Sequence, residues 1–280
     1  MDKMEALLNY LNLHSKAVPI GGGDINQAYR VTDGDQDYFL KYHPQMTADF
    51  FQAEVDGLKE LGNAVRVPET YQHGSYEDAA FLLMEWIEPG EGDQKDLALE
   101  LSKLHGMKAL NFGYKRNNFM GLLPQINTKS KDWWSFYFAN RLEVQIKIAN
   151  ERNHWTTQRE KNYQLFKEWV YQKWGTMSFE PTLLHGDFWS GNTFFDIHGQ
   201  PVFVDPAVSY GHREMDLAMS QLFGGFRQEF IDSYQEISPM RAGWQDRLAV
   251  YQLYYLLVHL NIFGESYGNA VDRVLALGGK

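Results

Sequence analysis

The spacing of apolar residues changes near residue 88 of this 280-residue chain. Before that point, short apolar runs are separated by turn residues such as Asp33 and Gly34, a pattern typical of antiparallel strands. Residues 4–11 and 48–61 instead repeat apolar side chains at helical spacing. The predicted strands are 18–20, 28–31, 38–41, 65–68 and 80–87. This part of the chain therefore predicts a small antiparallel sheet with one helix packed against it.

Beyond residue 93 the apolar pattern becomes mostly helical. The predicted helices are 97–105, 133–149, 160–174 and 247–263, and 183–204 is an exception that predicts short strands between polar turns. The stretch 88–93 is polar and rich in glycine, which favours a hinge. We therefore expect an α+β protein of two lobes, residues 1–87 with the sheet and residues 88–280 with most of the helices.

Composition narrows the classes of function. Hydrophobic residues make up 44% of the chain and charged residues 22%, as in folded globular proteins. The formal net charge of −10 disfavours sequence-independent nucleic-acid binding, which requires dense lysine and arginine. Because there are no cysteines, thiolate catalysis and cysteine-bound metals are excluded. The N-terminal residues lack the apolar core of a signal peptide, and the apolar stretch 248–263 is interrupted by polar residues. We expect a soluble, cytoplasmic monomer that binds neither nucleic acid nor membrane.

The segment 185–192 reads His-Gly-Asp-Phe-Trp-Ser-Gly-Asn. The spacing from Asp187 to Asn192 matches a kinase catalytic loop, and Asp205 follows an apolar strand further along. Phosphoryl transfer needs a group that receives the acceptor proton and oxygen ligands that hold Mg²⁺. The pattern predicts Asp187 as the base, with Asn192 and Asp205 as metal ligands. Taken alone, the same residues are also compatible with ordinary turns.

Three features nearer the N-terminus favour the kinase interpretation. Gly22 and Gly23 lie between two predicted strands, where glycine lets backbone amides approach phosphates. Lys41 follows a predicted strand and Glu54 lies in the next helix, the order in which kinases place their phosphate-binding lysine and its partner. Each feature alone has a structural explanation, a hairpin turn or a surface charge. Their order makes coincidence the weaker account and predicts ATP as the cofactor.

The strand 80–87 ends the first predicted lobe, at the position of a kinase hinge. We expect the backbone of Glu85, Trp86 and Ile87 to contact adenine, although a buried edge strand without a nucleotide would have the same sequence pattern.

Longer motifs resemble the fructosamine kinases, also called ketosamine-3-kinases, which are relatives of aminoglycoside and choline kinases. The matching segments are Gly-Gly-Asp-Ile-Asn at 22–26, Ala-Tyr-Arg at 28–30, Asn-Phe-Met-Gly at 118–121 with Gln125 and Asn127, Leu-Leu-His-Gly-Asp at 183–187, Trp-Ser-Gly-Asn at 189–192, Asp-Pro-Ala at 205–207, Tyr-Gly-His-Arg-Glu at 210–214, Asp-Leu-Ala-Met at 216–219, Leu-Phe-Gly-Gly-Phe at 222–226, and 253–264 around His259 and Asn261. They span nearly the whole chain. The sequence departs from the family at Phe188 and at Val208-Ser209, which bears on substrate preference and not on the reaction.

The resemblance implies a two-lobed protein-kinase-like fold and ATP-dependent phosphorylation of the 3-hydroxyl of a ketosamine, the adduct of a sugar with an amine. The phosphorylated product releases the amine, so the implied role is deglycation repair. A kinase of the same fold acting on an aminoglycoside, choline or homoserine is an alternative, and a non-catalytic nucleotide-binding protein is another.

Several other residues carry weaker predictions. Trp189 and His259 are candidate acceptor contacts, with packing under the loop or in the core as the alternatives. Asp216 resembles the aspartate that anchors the catalytic-loop backbone in kinase-like folds. We expect His105 to be a hydrogen-bonded core histidine, and Trp133 and Trp134 to lie in the core with one partly exposed. We expect Arg213 and Glu214 to form an internal ion pair, with a place in the lining of the acceptor site as the alternative. Like His259, Asn261 could reach the acceptor pocket.

Overall fold

The computed structural model describes residues 3–21 and 26–279, and all structural statements below concern those residues. The strands are β1 (Ala17–Ile20), β2 (Gln27–Asp33), β3 (Gln36–Pro44), β4 (Thr70–Tyr76), β5 (Ala79–Glu85), β6 (Pro89–Gly90), β7 (Asn118–Met120), β8 (Leu123–Gln125), β9 (Thr182–Leu184), β10 (Thr193–Asp196), β11 (Pro201–Phe203) and β12 (Ser209–Gly211). The helices are α1 (Lys3–Tyr10), α2 (Ala48–Leu61), α3 (Gln94–Gly106), α4 (Trp133–Tyr137), α5 (Glu143–Glu151), α6 (Thr157–Trp174), α7 (Glu214–Leu222), α8 (Gln228–Ile237), α9 (Trp244–Phe263) and α10 (Gly268–Leu275). A π-helical turn, Phe138–Leu142, joins α4 to α5.

The chain divides into two units. The first comprises Met1–Gly92 and Phe194–Pro206, and the second Asp93–Thr193 and Ala207–Lys280. The first unit thus extends past residue 87 and includes a later segment that holds β11. No described helix combines the length and the apolar character needed to cross a membrane.

The first unit is built on a five-stranded antiparallel sheet in the order β1-β2-β3-β5-β4. Successive side chains of a strand point to opposite faces. Along β5, Phe81 and Leu83 pack with α1, whereas Leu82 and Met84 pack with α2. Both faces of the sheet are therefore covered by a helix, where the sequence predicted one packed helix. The uninterrupted apolar run in β5 follows from this double burial.

One predicted strand is wrong. Residues 65–68 contribute only an isolated parallel bridge between Arg66 and Val202, and the edge strand beside β5 is β4. The sequence of β4, Thr-Tyr-Gln-His-Gly-Ser-Tyr, has no apolar alternation, and none of its residues is fully buried. An edge strand needs less apolar surface than a central one, so periodicity gave no signal for it.

The second unit is mostly helical, as predicted. The four predicted helices are confirmed as α3, the segment from α4 through α5, α6 and α9. The helix α9 is buried over most of its length and packs against α5 and α7. Three helices, α7, α8 and α10, were not predicted. In α7 seven consecutive residues, from Glu214 to Ser220, are buried, so it has no polar face to reveal its period.

Trp133 and Trp134 open α4 and are both buried, at 2% and 0% exposure. The expectation that one would be partly exposed is wrong. Their indole N–H groups donate to the Tyr251 hydroxyl at 3.0 Å and to the Trp174 carbonyl at 2.8 Å, so neither ring needs solvent to satisfy its donor.

Candidate active site

In the first unit, side chains of β3 alternate between the two faces of the sheet, and this alternation determines where Lys41 points. Leu40 packs on the α1 face of the sheet, so Lys41 projects from the α2 face, where it lies opposite Leu82 in the β3–β5 ladder. Its side chain is 6% exposed. The ammonium donates to Glu54 Oε1 in α2 at 2.6 Å. A lysine buried this deeply needs an acidic partner, and Glu54 is the partner that the sequence predicted.

Asp205 is the second carboxylate on Lys41. It follows β11 and makes an ion pair with the Lys41 ammonium. Its φ of 54° lies in the left-handed region, which aspartate tolerates better than most residues and which is common at functional sites. With two carboxylates on one ammonium, this cluster carries excess negative charge. The Asp205 side chain is 43% exposed and is therefore accessible to a cation.

The predicted adenine contacts lie at the end of β5. The N–H of Glu85 donates to the Glu69 carbonyl at 2.8 Å, so a nucleotide contact at Glu85 would use its carbonyl. The Trp86 ring stacks on Phe39 with a centroid separation of 6.2 Å, and the Arg30 guanidinium lies 4.5 Å from the Trp86 centroid. Ile87 is half-buried. Gly22 and Gly23, the predicted phosphate-binding glycines, lie outside the described residues.

In the second unit, Asp216 anchors the loop that follows β9. Its carboxylate is fully buried and accepts the backbone N–H groups of His185 at 2.8 Å and Gly186 at 2.9 Å. The predicted anchoring role of Asp216 is thus confirmed. Two backbone donors bonded to one charged acceptor fix the start of the loop more firmly than neutral hydrogen bonds would.

His105 supports this aspartate from α3. Its Nε2 lies 3.1 Å from Asp216 Oδ2 and its Nδ1 lies 2.7 Å from the Tyr234 hydroxyl. Burial lowers the pKa of His105, so the ring is neutral at neutral pH. We assign the proton to Nε2, which donates to the carboxylate, while Nδ1 accepts from Tyr234. The prediction of a hydrogen-bonded core histidine is confirmed.

Gly186 allows the loop to turn against the segment at Ala207. Its φ is 87°, and a Cβ at this position would lie 2.0 Å from the Ala207 carbonyl oxygen. The Ala207 N–H donates to the His185 carbonyl at 2.9 Å. Only glycine fits both constraints. The sequence placed Gly186 in the motif but did not reveal this close approach, which depends on a residue far away in the chain.

Asp187 is the central group of the loop. The Asn192 side-chain amide donates to the Asp187 backbone oxygen at 2.9 Å and to its Oδ2 at 3.0 Å. Burial of the carboxyl, helped by the charge of Asp216, raises the pKa of Asp187 to about 7, although the hydrogen bond from Asn192 opposes the shift. A carboxylate with a pKa near the working pH is suited to accept a proton during catalysis.

Each unit offers one oxygen donor of the kind that Mg²⁺ prefers in proteins. Asn192 uses its amide nitrogen on Asp187, which leaves its Oδ1 for another ligand, and Asp205 offers an exposed carboxylate. Among the described residues, no group of three or more His, Cys, Asp or Glu side chains could hold a metal. In nucleotide enzymes, Mg²⁺ takes one or two protein oxygens and completes its shell with phosphates and water.

The two candidate acceptor contacts remain accessible. The Trp189 side chain is 37% exposed, and its ring lies over Gly191, where a Cβ would approach within 2.3 Å of the indole. Trp189 therefore packs against Gly191 of its own loop while part of the residue is open to solvent. His259 is half-buried, its Nδ1 bonds the Tyr255 carbonyl at 2.8 Å, and its ring packs on Phe223 at 4.6 Å.

One prediction in this unit is wrong. Glu214 forms a buried bidentate ion pair with Arg247 of α9, at 2.7 and 2.8 Å, and not with Arg213. Arg213 instead donates to the carbonyls of Ser238 and Pro239. The Asn261 amide nitrogen donates to the Gln145 backbone and side-chain oxygens, both at 2.9 Å, and its contact with an acceptor stays a prediction. Neighbours in sequence gave no information on these long-range partners.

The sheet with its Lys41–Glu54 pair and the helical unit with its Asp187 loop define a phosphotransferase of the protein-kinase-like fold.

The sequence model of the fructosamine kinase family matches residues 4–277. The chain is 56% identical over 272 residues to an Enterococcus faecium protein named "Probable ketoamine kinase", covering 97% of this chain and 98% of that protein. It is 36% identical over 263 residues to the rice "Protein-ribulosamine 3-kinase, chloroplastic", covering 91% and 76%. The crystal structure of a Thermobifida fusca protein titled "putative fructosamine-3-kinase" superposes with a TM-score of 0.85 at 27% identity, covering 99% and 98%. The chain belongs to the fructosamine kinase family, as its motifs indicated.

Proposed function

We propose that this protein transfers the γ-phosphate of ATP to a ketosamine, such as a fructosamine or ribulosamine, at the sugar 3-hydroxyl. The observation that carries the proposal is the family match over residues 4–277, together with a catalytic loop in which Asp187 has both an orienting partner and a pKa near 7.

In the proposed reaction, Asp187 accepts the proton of the sugar hydroxyl as its oxygen bonds to the γ-phosphorus. The bond from that phosphorus to the β–γ bridging oxygen breaks, and ADP leaves. Lys41, held by Glu54, binds the α- and β-phosphates. Asn192 and Asp205 are the residues that would hold Mg²⁺, which supplies charge neutralisation on the phosphates. Backbone groups of Glu85, Trp86 and Ile87 would receive the adenine.

Trp189 and His259 are proposed to contact the acceptor. An exposed indole suits the apolar face of a sugar ring, and a neutral imidazole can hydrogen-bond a hydroxyl. Burial lowers the pKa of His259, which keeps it neutral at neutral pH. The phosphorylated ketosamine would then decompose and release the amine, which is the chemistry of deglycation repair.

An acceptor panel tests the proposal. Purified enzyme with Mg·ATP is given a fructosamine, a ribulosamine, an aminoglycoside, choline and homoserine, and phosphorylated products are located by phosphorus NMR. We expect transfer to a ketosamine 3-hydroxyl, and no transfer by the Asp187→Asn variant. If another acceptor were phosphorylated and the ketosamines were not, the protein would be a kinase of the same fold with a different substrate. Binding of Mg·ATP without any transfer would indicate a non-catalytic nucleotide-binding protein.

A further inference from the structure

Three buried carboxamides of the second unit have no role in the reaction proposed above. Asn118, Gln125 and Asn127 belong to the β7–β8 hairpin and the residues after it, and are 5%, 2% and 1% exposed. We call them the carboxamide cluster. Buried side-chain amides are costly unless each polar atom finds a partner, so the partners reveal what the cluster does.

The cluster holds two successive carbonyls of one segment. Gln125 Nε2 donates to the Ala207 carbonyl at 3.0 Å, and Asn118 Nδ2 donates to the Val208 carbonyl at 2.9 Å. These residues follow Asp205 and Pro206 in the chain. Two donors aimed at consecutive peptide groups fix both the position and the orientation of this segment.

The same segment supports the catalytic loop from its other side. The Ala207 N–H bonds the His185 carbonyl, and the Ala207 oxygen is the atom that leaves no room for a Cβ on Gly186. Gly186 directly precedes Asp187. If the Ala207 carbonyl moved, Gly186 would have to move with it, and Asp187 is the next residue. No flexible side chain lies between the Ala207 carbonyl and Gly186 to absorb the movement.

The carboxamides also orient one another. Gln125 Nε2 and Asn127 Nδ2 both donate to Asn118 Oδ1, at 2.9 and 2.7 Å. Gln125 Oε1 accepts from the Tyr254 hydroxyl at 2.9 Å. A network with its donors and acceptors satisfied has one arrangement of lowest energy, so it specifies geometry more sharply than apolar packing does.

Arg141 completes the network from the π-helical turn. It is 1% exposed and donates to Asn127 Oδ1 at 2.8 Å and to the Ile126 carbonyl at 2.5 Å. Within the described part of the chain it has no carboxylate partner, and the rings of Phe136 and Tyr254 lie 4.7 and 5.8 Å from its guanidinium carbon. A buried cation without a counter-charge is a poor source of stability, and π-helical turns often occur at functional sites.

We infer that the carboxamide cluster, oriented by Arg141 and Tyr254, is a positioning device that holds Asp187 in its working place through the Ala207–Val208 carbonyls. This inference rests on the proposed function of Asp187 as the base. The cluster does not touch the reactants, so its loss should slow the chemical step and leave substrate binding nearly unchanged.

The test is Gln125→Met, which keeps the length of the side chain and removes its hydrogen bonds. Gln145→Met is the matched control, because Gln145 is equally buried, bonds only the Asn261 amide through its side chain, and has no bond to residues 185–187 or 207–208 among the described residues. We expect kcat of the Gln125 variant to fall about 10- to 100-fold, as for a misplaced catalytic group. The KM values for ATP and acceptor should stay within about twofold, the pattern of a loss confined to the transition state.

Tyr254→Phe is a milder variant that removes one hydroxyl from the network, and we expect a smaller fall in kcat in the same direction. Equal kcat losses in the Gln125 and Gln145 variants, or an unchanged kcat in the Gln125 variant, would overturn the inference and leave the cluster as ordinary core.

Backbone hydrogen exchange gives a readout that does not depend on turnover. Peptides covering 183–189 and 205–210 should exchange faster in the Gln125 variant than in wild type, and the Gln145 control should not show this. If wild type phosphorylates no ketosamine, the proposed function fails, yet the exchange experiment still decides whether the cluster holds the loop. Unchanged exchange in both peptides would refute the inference even if the enzyme is active.

Discussion

Asn192 holds Asp187 at two points, with its amide nitrogen 2.9 Å from the Asp187 backbone oxygen and 3.0 Å from its carboxylate Oδ2. The backbone contact fixes the turn and the carboxylate contact fixes the rotamer, so one side chain determines where the base points. The contact to Oδ2 also favours the ionised form. The cost of burying the charge is larger than the effect of this contact, so the pKa of Asp187 is still raised.

The raised pKa of Asp187 predicts how the rate depends on pH. A base works only when ionised, and burial places the pKa of this carboxyl at about 7. We expect kcat/KM for the acceptor to rise about tenfold per pH unit below that value and to level off above it. Initial rates at saturating Mg·ATP from pH 5.5 to 9 would show this. A profile that is flat between pH 5.5 and 8 would mean that Asp187 is not the base.

The same shift predicts a pH-dependent stability difference between wild type and Asp187→Asn. The pKa of Asp187 is about 7 in the folded protein against 3.8 as its ordinary value, so the folded state binds more protons between these limits. Wild-type stability therefore falls as pH rises through this window. The asparagine carbonyl can still accept from Asn192 and carries no charge. The Tm of the variant relative to wild type should increase from pH 5 to pH 8, and a difference independent of pH would contradict the assignment.

The sequence predicted the parts of this fold that depend on local patterns. Residues 48–61 were predicted as a helix with the bounds that α2 has, because apolar side chains recur there at helical spacing. The spacing within 185–192 identified Asp187 and Asn192, whose side chains are hydrogen-bonded to each other. The anchoring of the loop by Asp216 came from the family resemblance and is confirmed.

The wrong or missing predictions involve contacts between residues distant in sequence, and elements whose burial leaves no periodic pattern of apolar residues. Glu214 adjoins Arg213 in sequence, but its partner is Arg247 in another helix. The edge strand β4 has no apolar alternation, and α7 has no polar face. The bonds from Gln125 and Asn118 to Ala207 and Val208 join distant segments, and no local pattern encodes them.

Glu54→Gln should weaken nucleotide binding selectively. The change keeps the size of the side chain but removes one of the two negative charges that attract the Lys41 ammonium. The remaining charge, on Asp205, then draws the ammonium towards itself and away from the phosphates. We expect KM for ATP to rise about tenfold with little change in KM for the acceptor, as for a lost ground-state contact. Glu100→Gln is the control, because Glu100 pairs with Lys103 at the same 2.6 Å on a helix surface and should change nothing measurable. An unaltered KM for ATP in the Glu54 variant would remove this pair from the nucleotide site.

Asp216→Asn should destabilise the fold and the loop together. The carboxylate is fully buried and accepts from His185, Gly186 and His105, so an amide in its place turns an N–H₂ group towards at least one of these donors. Losing a charge-assisted bond and burying an unpaired donor should lower the free energy of unfolding by about 3 kcal/mol. Urea titration measures the loss directly.

Asp78→Asn provides the comparison, since Asp78 pairs with Lys3 at the surface and its loss should leave the free energy of unfolding nearly unchanged. The Asp216 variant should also lose turnover under conditions where it remains folded, because a backbone amide released by the substitution belongs to a residue that leads directly into Asp187. A variant that is destabilised but turns over at the wild-type rate would show that the loop keeps its geometry without this anchor, and that the position of the base is determined by Asn192 and the Ala207 contact alone.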